Sequence, residues 1–218
     1  MEPFIQESER YFKLSQWEQK FSSLVVGFTT RNGGVSRFPF RSLNMGFHVD
    51  DDQELVRQNR QLLAGDLSFP LSNWVGSEQV HGAKIVRVSA MEKGKGANDL
   101  ESAIRNTDGL YTNEPNLLLT SLYADCVPIF YYAPTANLIG LAHAGWRGSV
   151  SRIATNMVKL WVENEGVQKK DILITIGPCI SAERYEVNRV VIEAVNKCFA
   201  HSFDTSLLYK KCLKIIFY

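Results

Sequence analysis

Between Leu138 and Glu165 the chain changes character twice, and the order of those changes restricts what it can fold into. Leu138 to Ala142 is an apolar run with the length and bulk of a buried strand. It breaks at His143, passes through Gly145, Trp146, Arg147 and Gly148, and continues from Ser149 to Glu165 with helical spacing. A helix that follows a buried strand so closely must lay its apolar stripe on a sheet, which places the chain among α/β or α+β domains. Gly145 and Gly148 let backbone approach a ligand without side-chain obstruction. The same order is expected to set free N–H groups and the positive end of a helix dipole beside His143 and Arg147, a setting for an anion. The competing reading is a packed turn around a buried, hydrogen-bonded histidine.

The remaining segments agree with a mixed β-sheet core covered by helices in one domain over residues 1–218. Strands are expected at Phe21–Thr30, Trp74–Val80, Lys84–Val88, Asp108–Tyr111, Leu117–Ala124, Ile129–Tyr132 and Ile172–Ile176. Helices are expected at Asp51–Leu63, with Asp50 to Asp52 as candidate caps, and at Arg189–Phe199. With 45% hydrophobic residues among 218, the chain can bury a sizeable core. Its 24 basic and 23 acidic side chains leave a net charge of +1, so no global field recruits nucleic acid or an anionic membrane. A small ligand is the better default. No apolar run approaches the roughly 20 residues a membrane helix needs, and the first residues lack a basic-then-apolar signal pattern, so a cytoplasmic location is expected. A homodimer is one candidate assembly, and the sequence does not decide the oligomeric state. The four cysteines, Cys126, Cys179, Cys198 and Cys212, contain no C-x-x-C pair, which argues against a disulfide framework or a zinc ribbon.

Three segments share a candidate metal ligand beside glycine, proline or aspartate at a strand end: Gln79-Val80-His81-Gly82, Ala124-Asp125-Cys126-Val127-Pro128 and Ala142-His143-Ala144-Gly145. Two imidazoles and a thiolate make a three-ligand set suited to a catalytic zinc with an open position. Only the fold could bring them together, and each has a plainer reading: His81 in a turn, Cys126 as a small buried residue, His143 as a satisfied core histidine.

These segments, with Thr29-Thr30-Arg31 and Gly33-Gly34-Val35-Ser36, Ser42-Leu43-Asn44-Met45-Gly46, Asn59-Arg60, His143 to Gly148 and Gly177-Pro178-Cys179-Ile180, resemble the YfiH/YlmD family. That family also carries the names laccase-domain and multicopper polyphenol oxidase, and it includes purine nucleoside phosphorylases. The motifs occur in the family's order from about Phe28 to about Val187. The resemblance implies a single α/β domain with zinc held by His81, Cys126 and His143. It also implies phosphorolysis of adenosine, inosine, guanosine and methylthioadenosine, with adenosine deamination as a further activity. The chain departs from the family's pattern after about Val187, where the relatives' later motifs are missing, and is expected to be C-terminally short.

Phosphorolysis needs an anion pocket, a clamp on the ribose and stabilisation of the departing purine. Arg31, Arg60 and Arg147 are the arginines beside the motifs; a guanidinium fork suits phosphate, and Arg60 and Arg147 are the stronger candidates, against a plain reading as surface ion pairs. Deamination asks for a carboxylate beside a metal-bound nucleophile, and Asp125 is the candidate, with backbone capping as the alternative. Asn44 is expected to hold ribose hydroxyls or the base. Cys179 is expected to line the site or to be a small buried residue.

Copper is a candidate substitute for zinc, because Cu²⁺ outcompetes Zn²⁺ at N/S ligands, and could give a secondary polyphenol oxidase activity. A laccase-type copper cluster needs about ten histidines. This chain has four. A different class of reading is a cysteine hydrolase or amidase in which Cys126 attacks and His81 or His143 is the base. A third is a binding module in which zinc is structural.

Overall fold

The computed structural model describes residues 3–199. Of these, residues 3–180 form one compact unit, and residues 181–199 belong to a second. The first unit carries ten strands and four helices among its described residues, so strands dominate as expected.

Its central sheet has five strands, in the order β10 (Leu173–Ile176), β8 (Val127–Ala133), β9 (Leu138–Ala144), β6 (Gly109–Thr112) and β5 (Ile85–Arg87). All pairings are antiparallel except the parallel edge between β5 and β6. The two middle strands are buried along almost their whole length. The period-two rule explains why: alternate side chains of β8 serve two different cores. Ile129 and Tyr131 face a cluster built by Ile153, Met157 and Trp161, which recur every fourth residue along α4 (Ile153–Asn164). Phe130 and Leu141 face the other way, onto Phe4, Leu14 and Val26.

That second face is covered by an antiparallel sheet of β1 (Phe4–Gln6), β2 (Tyr11–Leu14) and β3 (Gly27–Thr29), with α1 (Ser15–Lys20) between the last two. Phe21 to Thr30 is strand only over its last part, and β1, β2 and α1 were not expected at all. β1 and β2 are apolar but only three and four residues long, and α1 carries Trp17 as its one apolar residue, so no run is long enough to show a period and packing onto Phe130 and Leu141 decides their form. β4 (Trp74–Gly76) and β7 (Leu118–Thr120) make a separate parallel pair, shorter than the runs that signalled them. The expected strands at β5, β6, β8, β9 and β10 are present with shifted ends.

α2 spans Gln53–Asp66, and Asp52 caps it by accepting a hydrogen bond from the Glu54 amide at 2.8 Å. The helix expected over Ser149–Glu165 is two helices, α3 (Trp146–Val150) and α4, divided at Arg152, whose φ of 62° is left-handed. α3 is a single short turn of five residues, too brief for the dipole argument made from sequence.

Gly140, in the middle of β9, explains how α4 sits so close. A Cβ there would lie 2.9 Å from the Trp161 ring, which is fully buried and has no room to retreat. Gly140→Ala should therefore cost about 1–3 kcal/mol through overpacking. Chemical denaturation should show a lower midpoint at unchanged slope; an unchanged midpoint would mean that the helix can shift freely.

In the second unit, α5 (Arg189–Phe199) matches the expected helix, and an Arg189–Glu193 pair at 2.6 Å links successive turns.

Candidate metal centre

β8 and β9 run side by side, and their paired ends bring Cys126 and His143 together: Pro128 lies opposite His143, and Cys126 immediately precedes β8. His81 arrives from the turn between β4 and β5. The ligand atoms of His81, Cys126 and His143 all lie within 4.8 Å of one another. The two imidazoles meet edge to face with centroids 4.8 Å apart. His143 is buried and His81 exposed, so the cluster is anchored on one side and accessible on the other.

Gly145 makes this convergence sterically feasible. A Cβ on it would stand 3.0 Å from Cys126 Sγ and 3.1 Å from a carbon of the His81 ring. Gly148 has a different task, since a Cβ there would come within 2.8 Å of the Gly82 carbonyl oxygen. The two glycines of this segment thus seat the ligands and the His81 turn rather than a ligand's backbone approach.

Beneath the cluster lies Asp108, which the sequence reading did not single out. Its carboxylate accepts hydrogen bonds from the amides of Val80 (3.2 Å), His81 (2.9 Å) and Gly82 (2.8 Å), and pairs with His143 Nδ1 at 2.9 Å. Burial alone would raise its pKa, yet the hydrogen bonds from His143, Gly82 and Val80 hold the carboxyl below the usual range. An aspartate preceding a short apolar run is unremarkable in sequence, and no local spacing ties it to His81 or His143. Gln79 has a comparable structural task. Its side-chain amide donates to the Leu122 carbonyl at 2.8 Å and its oxygen accepts from the Leu122 amide at 2.7 Å, clamping the His81 turn to the segment after β7.

A cavity of about 1150 Å³ opens beside the cluster. Asp125, Cys179, Arg31, Arg60, Asn44 and His48 line it along with the three ligands. Asp125 and Cys179 are exposed. Arg31 is exposed as well, and it donates from Nε and Nη2 to the Arg41 carbonyl at 3.3 and 3.0 Å, which leaves Nη1 for another acceptor. His48 is pushed toward its neutral form, first by burial and then by the charges of Arg60 and His81.

Three expectations change. Arg60 does not present its guanidinium as a free fork: Nε and Nη2 donate to the Met45 carbonyl at 2.9 and 2.7 Å, and Nη1 to those of Gly96 and Ala97 at 2.6 and 3.0 Å. It also stacks 4.3 Å from the Phe47 ring centre. Arg147 is exposed, folds 4.5 Å over the Trp146 ring, and is absent from the cavity wall. Asn44 lines the cavity, but its Nδ2 donates to Asp51 at 2.9 Å and its Oδ1 accepts from the Gly46 amide at 3.0 Å. Its amide is occupied in shaping the loop.

The family model for multi-copper polyphenol oxidoreductase laccases matches residues 25–211. This chain belongs to that laccase family. Curated relatives include purine nucleoside phosphorylase YlmD of Geobacillus stearothermophilus, 49% identical over 175 residues, which are 80% of this chain and 64% of that protein. The phosphorylase YlmD of Bacillus subtilis is 45% identical over 83% of this chain and 65% of its own length. The chain therefore spans slightly less than two thirds of these curated laccase-family relatives. Among solved structures, Bacillus licheniformis YfiH superposes with a TM-score of 0.91 at 37% identity, covering 98% of this chain and 78% of that one. YlmD from G. stearothermophilus gives 0.87 at 45% identity, over 90% and 72%.

The donor set suits a metal ion. Two imidazoles and a thiol converge, and the Asp108 partner on Nδ1 leaves Nε2 as the other ring nitrogen of His143. For a laccase-family chain the cluster is small. His48 is a cavity residue outside it, and His201, the fourth histidine, lies outside the described residues.

Proposed function

We propose that this chain carries the site of a zinc-dependent purine nucleoside phosphorylase, which splits adenosine, inosine, guanosine or methylthioadenosine with phosphate into free base and ribose 1-phosphate. The observation that carries this reading is the His81–Cys126–His143 cluster on the wall of a cavity that also holds Arg31. The names of the curated relatives support it.

Zinc at this cluster would supply a Lewis acid and an open coordination position. The chain's own residues would do the remainder. Arg31 Nη1, free of the Arg41 carbonyl, is the donor best placed for a phosphate oxygen, with His48 on the same wall. Asp125, exposed at the cavity, would take or return a proton, and that role would serve adenosine deamination as a further activity. The partners are then small molecules. Among the described residues no helix is long and apolar enough to cross a membrane.

The cysteine hydrolase reading loses support on electrostatic grounds. In the metal-free chain burial pushes the Cys126 thiol up, and the charges of Asp125 and Asp108 push it further, which opposes thiolate formation. A cation between the ligands reverses that balance.

Purified protein loaded with zinc, incubated with phosphate and each nucleoside in turn, should release free base and ribose 1-phosphate. Folded, zinc-loaded protein that releases base from none of them would refute the assignment. Replacement of zinc by copper should be accompanied by any phenol oxidation the site supports.

A further inference from the structure

The cluster depends on a residue that belongs to neither the ligand set nor the cavity wall. Asp108 directly precedes β6 and is 2% exposed. Three consecutive amides, those of Val80, His81 and Gly82, point at its carboxylate. Successive N–H groups turned onto one anion form a concave nest, and such a turn requires unusual backbone angles. His81 has them, with φ at 59°, a left-handed conformation that few non-glycine residues adopt. The same carboxylate pairs with Nδ1 of the His143 ring, and the Asp108 carbonyl accepts the His143 amide at 2.7 Å.

We infer that Asp108 is the positioning residue for both imidazole ligands, setting the backbone of one and the ring of the other. A carboxylate has about four lone-pair sites, and four donors already occupy them, so Asp108 is not a fourth metal ligand. Because an ionised carboxylate only accepts, the His143 proton sits on Nδ1 and the Nε2 lone pair is left for the metal. The turn is held by a separate set of bonds from the same side chain. Losing the carboxylate thus disturbs two of the three ligands together, whereas losing a partner of a single ligand would disturb one. Asp108 touches no reacting atom. Its action is through His81 and His143.

The inference rests on the reading of the cluster as a metal site, but its test needs neither nucleoside nor phosphate. Long-range ¹H–¹⁵N correlations on the full, metal-free chain should show His143 with its proton on Nδ1; a proton on Nε2 would overturn the proposal. Asp108→Asn keeps the shape of the side chain while placing an amide donor among the existing donors. Zinc affinity, read by competition with a chromophoric chelator, should fall about 10- to 100-fold. The variant's His143 should show a changed tautomer pattern, while circular dichroism reports a folded chain. Folded Asp108→Asn with the parent's zinc affinity would refute the inference. Should this variant fail to fold, the tautomer of the unaltered chain decides the matter alone. A zinc-loaded protein that releases no base refutes the phosphorylase reading, and it leaves both of these readouts intact.

Discussion

Cys126→Ala is expected to yield a folded chain that no longer retains stoichiometric zinc and releases no base from any nucleoside. Cys126 supplies the sole thiolate of the three-residue set, and the remaining imidazoles would hold a zinc ion without its softest and only charged ligand. Removing an outer-shell partner typically costs 10- to 100-fold in metal affinity, so removing a direct ligand should exceed about 100-fold. The fold should survive, because Cys126 is half-buried and β8 is held by pairing to β9 along its whole length and to β10 from Ile129 on. The measurement is zinc per chain after gel filtration, with base release in parallel. Retained stoichiometric zinc would show that the ligand set is wrong. Activity with full zinc lost would point instead to chemistry in which the cluster has no part.

Arg60→Met should lower stability rather than phosphate affinity. The guanidinium makes four bonds to the carbonyls of Met45, Gly96 and Ala97, tying the loop before α2 to the loop at Gly96. Burial lowers the Arg60 pKa to about 10, and the surrounding carbonyls hold the charge against that desolvation. Bonds from a charged donor contribute roughly 1.5–3 kcal/mol net of desolvation, and these four share one guanidinium, so substitution should cost about 3 kcal/mol, or a fall in Tm of roughly 6–12 °C for a chain of this size. Circular dichroism against temperature measures it. An unchanged Tm, with weakened phosphate dependence, would restore Arg60 as the phosphate ligand that the sequence suggested.

The contrast between Arg60 and Arg31 shows what motif proximity can and cannot convey. Both stand beside recognisable motifs, and both have the same chemistry. Arg60 lies on α2 in step with Val56 and Leu63, two other buried positions of that helix, so its side chain enters the interior and must satisfy itself there. Helical spacing could have revealed this: Arg60 falls four residues after Val56 and three before Leu63, on the face that packs. Arg147 differs from both. It lies in the glycine turn expected between strand and helix, which the structure forms as the short α3, and its guanidinium folds over Trp146 instead of lining the cavity.

Strand and helix positions in the central sheet were legible because β8 and β9 are buried on both faces and read as continuous apolar runs. The end at His143 was legible for the same reason, since the apolar run breaks there, whereas the expected start of β8 beside Cys126 falls two residues late, at Ile129, because Pro128 interrupts the run. The N-terminal sheet was not legible, because its short strands lie in a stretch broken by polar and charged residues and take their form from the core they cover. The break at Arg152 was hidden as well: apolar residues keep helical spacing across it, and spacing carries no record of a single left-handed residue.

By itself the sequence determined the donor chemistry of the site, two imidazoles and a thiol at strand ends beside glycine, and the mixed α/β class that holds them. Apolar periodicity and residue type are local properties, so they survive in a one-dimensional string. The tertiary structure decided which polar groups contact those donors and which are engaged elsewhere. Asp108 reaches His81 and His143 across the sheet through hydrogen bonds to residues far away in the chain, and the Arg60 guanidinium, at the cavity wall, is engaged by carbonyls from two distant loops. Hydrogen bonds of that kind depend on directions and distances in space, and no spacing along the chain encodes them.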